Sequence, residues 1–251
     1  MGRRAGNPVT LLAVFLLGFQ FTAAVQIADG FDPSTAGLVA ADIDGAGKPA
    51  IIAWSANGVK VFRYGSKTPV DCGLGGVRDV VSISPGDSNG DGLEDLAILT
   101  KFDAELWVNR RGRFEKLNIF LPEGAYNKAV WVDYDHDSTL DLFLLGDKSV
   151  LLRNDGAGFT NVSNNFPFVQ GRAVDGVTRG SDLLVTYSDR PAVQYVDKGD
   201  GRYLAEEASA LPMPPPHAAL ELDYDGAGRV DRFEIRPDGW LVWLRRETKP
   251  R

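Results

Sequence analysis

The sequence predicts an all-β fold built from repeated small sheets. Three observations carry that reading: a motif that recurs about every 45 residues, short apolar runs between Gly, Asn and Asp, and no sustained helical period after the N-terminal segment. The repeat is anchored by aspartates. Asp42, Asp87 and Asp133 follow one another at about 45 residues, and Asp223 lies two such periods further on. A fourth copy between them keeps Asp182 and Leu183 but has lost its acidic loop.

Each copy reads as strands joined by tight turns. One apolar run enters the acidic loop, as at Val130, Trp131 and Val132, and a second leaves it, as at Leu142 to Leu145. A third follows a short turn (Val59–Phe62 in the first copy, Val193–Val196 in the fourth). A fourth follows a Gly-rich turn, as at Phe114 and Phe159. Four strands per 45 residues is the arithmetic of a blade in a β-propeller. A lone blade cannot bury both faces, whereas blades stacked round an axis can. A pair of β-sandwiches would not demand a fixed internal period. The expectation is therefore a β-propeller of about five four-stranded blades. The fifth copy lacks a fourth strand, and an orphan strand around Val25 to Ala28 precedes the first loop. Donated to the last blade, it would complete that sheet and cover a bare edge. The rival is an open arc awaiting another chain.

The N-terminus reads as a secretory signal peptide over residues 1–24. Arg3 and Arg4 precede an apolar stretch over 9–19, and Thr22, Ala23 and Ala24 suit a signal peptidase. The alternative is an uncleaved anchor, for which the stretch is short. Residues 25–251 then form the propeller domain. The chain carries a net charge of −7 with no dense Lys/Arg block beyond residue 4, which argues against nucleic acid as a partner. Its only cysteine, Cys72, rules out a disulfide framework despite the export signal and reads as a small buried hydrophobe.

Two acidic loops carry the chemistry. In Asp87-Ser-Asn-Gly-Asp-Gly-Leu-Glu-Asp95 and Asp133-Tyr-Asp-His-Asp-Ser-Thr-Leu-Asp141, oxygen side chains fall at positions 1, 3, 5 and 9. These are Asp87, Asn89, Asp91 and Asp95 in one loop and Asp133, Asp135, Asp137 and Asp141 in the other. Position 7 offers a backbone carbonyl, from Leu93 or Thr139. An all-oxygen set favours Ca²⁺ over zinc or copper, and Mg²⁺ gives up its waters reluctantly. Asx-turns alone would explain one carboxylate, but converging carboxylates repel one another without a cation. The fifth copy keeps Asp223, Asp225 and Asp231 with Ala227 at position 5, a weaker third site. The first, with Ala46 and Ala50, and the fourth read as empty turns.

These loops, together with Leu151-Leu-Arg-Asn-Asp-Gly-Ala-Gly-Phe159, resemble the FG-GAP or VCBS repeat family, the calcium-loop blades of integrin α-chain propellers and many bacterial surface proteins. The resemblance covers nearly the whole mature chain. It implies a calcium-binding propeller and leaves the activity open. No catalytic constellation is legible: His136 lies inside an acidic loop, and His217 follows a proline-rich connection. The functional expectation is an exported, non-catalytic interaction module binding an extracellular protein or glycan. The alternative is a carbohydrate-active enzyme or lectin-like glycan-binding domain. Of the five tryptophans, Trp54, Trp107, Trp131 and Trp243 lie in apolar strands and read as core.

Overall fold

The computed structural model describes residues 23–208 and 218–245. Within them the chain forms nineteen strands and one 3-10 turn, Ser163–Asn165, gathered into five antiparallel sheets. This is an all-β fold consistent with a β-propeller. The first sheet holds β2 (Gly37–Ala41), β3 (Ala50–Ser55) and β4 (Gly58–Phe62). The second holds β5 (Val80–Gly86), β6 (Asp95–Thr100), β7 (Ala104–Asn109) and β8 (Phe114–Lys116). The third holds β9 (Tyr126–Val132), β10 (Asp141–Gly146), β11 (Val150–Asn154) and β12 (Phe159–Asn161). The fourth holds β13 (Ala173–Arg179), β14 (Asp182–Tyr187), β15 (Val193–Asp197) and β16 (Tyr203–Glu207). The fifth holds β17 (Ala219–Leu222), β18 (Asp231–Ile235) and β19 (Leu241–Arg245), joined by β1 (Ala23–Ala28) from the start of the chain.

One expectation needs correction. The first sheet has three strands, not four: beyond β4 a single bridge, Val61 to Val70, stands where the fourth strand runs in its neighbours. The chain then turns inward. Cys72 and Leu74 are buried in the core shared by the first two sheets, and the Cys72 carbonyl accepts the Phe114 N–H of β8 at 2.7 Å. Filling the gap between sheets takes the residues that would otherwise extend the edge.

The last sheet is completed as the sequence suggests. β1 lies antiparallel to β19, with Val25 opposite Trp243, Gln26 opposite Val242 and Ala28 opposite Leu241. A signal cut near Ala24 leaves those three pairs intact; the remainder of the proposed signal, residues 1–22, lies outside the described residues. Among the described residues, no helix is long and apolar enough to cross a membrane.

In the first four sheets the second strand is the most deeply buried, with β3 and β10 buried along their whole length; in the fifth it is β19, the strand that β1 covers. These strands read as continuous apolar runs because sheets cover both their faces. The first strands make contacts between sheets. β2 touches β5 and β17, while β9 touches β5 and β13. Trp54, Trp131 and Trp243 are buried in the cores as expected, and Trp107 packs against the core that holds Trp54.

Candidate metal centre

Each acidic loop joins the first and second strands of its sheet at one end. Its first aspartate folds back on the loop: Asp87 Oδ1 accepts the Gly90 and Asp91 N–H groups at 2.8 and 3.1 Å, and Oδ2 accepts Gly92 N–H at 2.8 Å. Asp42, Asp133 and Asp223 accept the equivalent N–H from Gly47, Ser138 and Gly228. The loop thus needs positive φ at its fourth and sixth positions. Three loops supply glycine there (Gly45 and Gly47, Gly90 and Gly92, Gly226 and Gly228). The third loop places His136 and Ser138 at φ 63° and 74°, at a cost of order 1 kcal/mol or more each.

That strained third loop is the one that gathers its acids. Asp133, Asp135 and Asp141 bring carboxylate oxygens within 4.8 Å of one another. Among the described residues, no other group of three acids, histidines or cysteines comes so close. Asp133 Oδ1 and Asp135 Oδ1 are buried and lack a hydrogen-bond partner among the described residues. Buried acceptors are rarely left so, because each orphan costs about 1–3 kcal/mol and more when charged. The set fits a hard cation: three carboxylates, two with an oxygen free, and no nitrogen or sulfur. Asp137, expected at position 5, is exposed, and its Oδ1 accepts both the N–H and the hydroxyl of Thr139, which hold its carboxyl below the ordinary range.

Position 9 plays a double part. Asp141 opens β10 and is fully buried; its Oδ2 accepts Tyr134 N–H at 2.9 Å and its Oδ1 accepts Asn154 N–H at 2.8 Å. Burial pushes its carboxyl up to about 6 despite those bonds, with Asp135 and Asp137 adding to the rise. Asp95 is the counterpart in the second loop. It is also fully buried, accepting Ser88 N–H and hydroxyl through Oδ2 and Asn109 N–H through Oδ1, and it too is raised, first by burial. In that second loop, Asn89 and Asp91 side chains turn back on the N–H groups of Asp91 and Leu93 at 2.9 Å each. The fifth loop keeps Asp231 buried, with Oδ2 unpartnered among the described residues, while Asp225 pairs with Arg245. In the fourth copy Asp182 accepts Asp197 N–H and Gln194 Nε2–H as an ordinary strand-end acceptor.

One set of residues escaped the sequence reading. In four of the five sheets the residue at or just past the end of the third strand reaches the acidic loop of a neighbouring sheet. Asn109 Nδ2 donates to Ile43 O at 2.9 Å, and Asn154 Nδ2 donates to Ser88 O at 2.7 Å. Asp197 Oδ2 lies 2.7 Å from His136 Nε2 on the third loop. Tyr64, at the same place in the first sheet, packs its ring against Tyr224 of the fifth loop, centroids 5.9 Å apart. The loops are therefore latches between sheets as well as turns. The signal was available: Asn109, Asn154 and Asp197 each follow an apolar strand and precede a Gly turn by two or three residues.

Comparison with known proteins adds a likeness of fold. No protein-family model matches the sequence, and no curated protein matches it. Among solved structures, BBS1N in complex with ARL6DN is similar in a lead-soaked crystal (TM-score 0.53, 13% identity, 88% of this chain and 70% of that one). The mercury-soaked crystal of the same complex gives TM-score 0.52 and 14% identity over 92% of this chain and 71% of that one. An Agrocybe aegerita lectin that recognises non-reducing terminal N-acetylglucosamine matches with TM-score 0.48 and 17% identity, over 83% of this chain and 65% of the lectin. The BBS1N likeness supports the β-propeller fold.

Proposed function

We propose that the chain is an exported β-propeller of the FG-GAP/VCBS type that serves as a non-catalytic interaction module, with Ca²⁺ bound in its third acidic loop. On this reading five blades form a ring, β1 closes the last blade, and the partner is an extracellular protein or glycan. The observation that carries the cation is the trio Asp133, Asp135 and Asp141, with two buried oxygens that no hydrogen-bond donor among the described residues satisfies. The second loop, with Asp87, Asn89, Asp91, Asp95 and the Leu93 carbonyl, is a further candidate that shares the sequence pattern. The cation's role is structural: it neutralises carboxylates at a junction where the third loop meets the fourth sheet. The interaction role is supported by the fold and by the export signal read in the sequence; BBS1N, of similar fold, was solved with a protein bound.

The test is calcium titration by calorimetry with melting in parallel. Extracellular sites have Kd of about 10⁻⁴–10⁻³ M, so 1 mM Ca²⁺ at the tighter limit adds about 1.4 kcal/mol per site. For a chain of this size that raises Tm by about 3–6 °C. Asp135→Asn should abolish the third-loop ion and its share of the shift. An unchanged isotherm in that variant overturns the assignment. A glycan array beside a polysaccharide-cleavage screen then separates binding from catalysis; turnover of any polysaccharide would sink the non-catalytic reading.

A further inference from the structure

Strand register places an arginine at one site in three of the five sheets. Continued by one residue past the last pair of each ladder, the register sets Arg63 against Ala50, Arg245 against Asp231 and Arg153 against Asp141, each at position 9 of its own loop. The three behave differently. Arg63 Nη1 lies 3.1 Å from Asp44 Oδ2, and Arg245 Nη2 pairs with Asp225 Oδ2; both aspartates hold position 3 of their loops. Arg153 is exposed and makes no ion pair among the described residues, while Asp133 and Asp135 keep their unpartnered oxygens. The difference tracks position 5. The first and fifth loops carry Ala46 and Ala227 there, whereas the third carries Asp137. The second loop has Asp91 at position 5, and the register continued past Leu96 and Trp107 puts Val108 of β7 in the arginine's place, against Asp95.

We infer that Arg63 and Arg245 are built-in replacements for the divalent cation, neutralising the first and fifth loops from within. A guanidinium is weakly hydrated and forms directional bonds to carboxylate, so it can sit against the half-buried Asp225, or the more exposed Asp44, where a loop has too few oxygens to strip water from a metal ion. The guanidinium and a divalent ion compete for the same position-3 carboxylate, and two cations there repel. In the fifth sheet the arrangement is reinforced: Arg245 also lies over the Trp243 ring at 4.9 Å. The sheet that receives the N-terminal strand thus keeps its loop neutralised without ambient calcium. Calcium dependence is confined to the second and third loops. The inference deepens the calcium reading and rests on it only for the contrast with the third loop.

The experiment uses the full mature chain and two readouts. In EDTA, Arg245→Met, which keeps an unbranched side chain over Trp243, should lower Tm by about 2–4 °C, the shift typical of one such interaction in a chain of this size. Arg63→Met should act in the same direction on the first loop by a smaller amount, because both partners there are about two-fifths exposed and screened by water. In calorimetry, Ala227→Asp alone should bind the wild-type number of Ca²⁺ ions, because the arginine still holds Asp225. Ala227→Asp combined with Arg245→Met should bind one more, using Asp223, Asp225, the carboxylate introduced at position 5 of the loop and the free oxygen of Asp231. An extra ion in the Ala227→Asp variant with Arg245 present would overturn the replacement, as would an unchanged Tm for Arg245→Met in EDTA. A wild-type chain that binds no Ca²⁺ would refute the third-loop assignment alone, and the melting comparison in EDTA would still decide the role of the arginines.

Discussion

Asn154→Ala probes the latch between the second and third sheets. Asn154 is buried, and its Nδ2 donates to Ser88 O at 2.7 Å and Leu140 O at 3.1 Å, while its Oδ1 accepts Gly156 N–H at 3.0 Å. Alanine deletes all three bonds and places no substitute. At about 1 kcal/mol net per bond, the loss is about 3 kcal/mol. A domain of this size loses about 2–4 °C in Tm per kcal/mol, so melting should fall by about 6–12 °C. Asn154→Asp should be at least as damaging: it keeps the acceptor for Gly156 but turns a carboxylate toward two carbonyl oxygens beside Asp141. Thermal and urea unfolding followed by tryptophan fluorescence provide the measurement, with the urea m-value unchanged if only stability is affected. A Tm within about 2 °C of wild type for Asn154→Ala would show that the Ser88 and Leu140 carbonyls find other partners at no cost, and the latch would have no energetic meaning.

Three more outcomes follow from the same geometry. Removing residues 25–28 from the mature chain strips β1 from β19; three cross-strand pairs at about 0.2–1 kcal/mol each put the loss at about 0.6–3 kcal/mol, with self-association through the bared edge, and a monomer of unchanged Tm in size-exclusion and melting experiments would refute the role of β1. Gly146→Ala drives a Cβ into the Ala125 carbonyl oxygen, where backbone meets backbone, so chemical denaturation should show a loss of about 1–3 kcal/mol, against no loss if β9 and β10 can part freely. In EDTA, stability should fall as pH rises. Asp141 has a folded-state pKa of about 6, above its ordinary 3.8, so the folded state binds the proton more tightly and its advantage fades between about pH 4 and 6, by about 3 kcal/mol in total. Calcium, which needs the ionised carboxylate, should offset that fall, and a flat EDTA profile across the window would show that Asp141 is not raised.

What could be read from the chain alone was its periodicity and its local chemistry. Apolar runs such as Leu142 to Leu145 between Gly, Asn and Asp fix strands, because short β-rich segments bounded by turn formers have few other local solutions. The 45-residue recurrence of Asp42, Asp87 and Asp133, with Asp223 two periods further on and the degraded copy at Asp182 between, gives the number of sheets. The missing fourth strand of the last copy, set against the orphan strand at Val25, anticipates the pairing of β1 with β19, since an unpaired edge and an unpaired strand solve each other's hydrogen-bonding problem.

Tertiary structure decided what depends on neighbouring sheets. Nothing local to residues 69–75 says that the first sheet stops at three strands; Cys72 and Leu74 leave the edge because the space between the first two sheets has to be filled by apolar volume. The loops with Asp87 and Asp133 look alike in one dimension, yet the third gathers its carboxylates and keeps two buried oxygens free. Likewise Arg63, Arg153 and Arg245 share a place in the strand register, and only the folded protein shows which of them closes on an aspartate. Charge compensation is a matter of ångströms between segments far apart in sequence. The pattern of residues supplies the charges, and packing of one sheet against the next sets which of them meet.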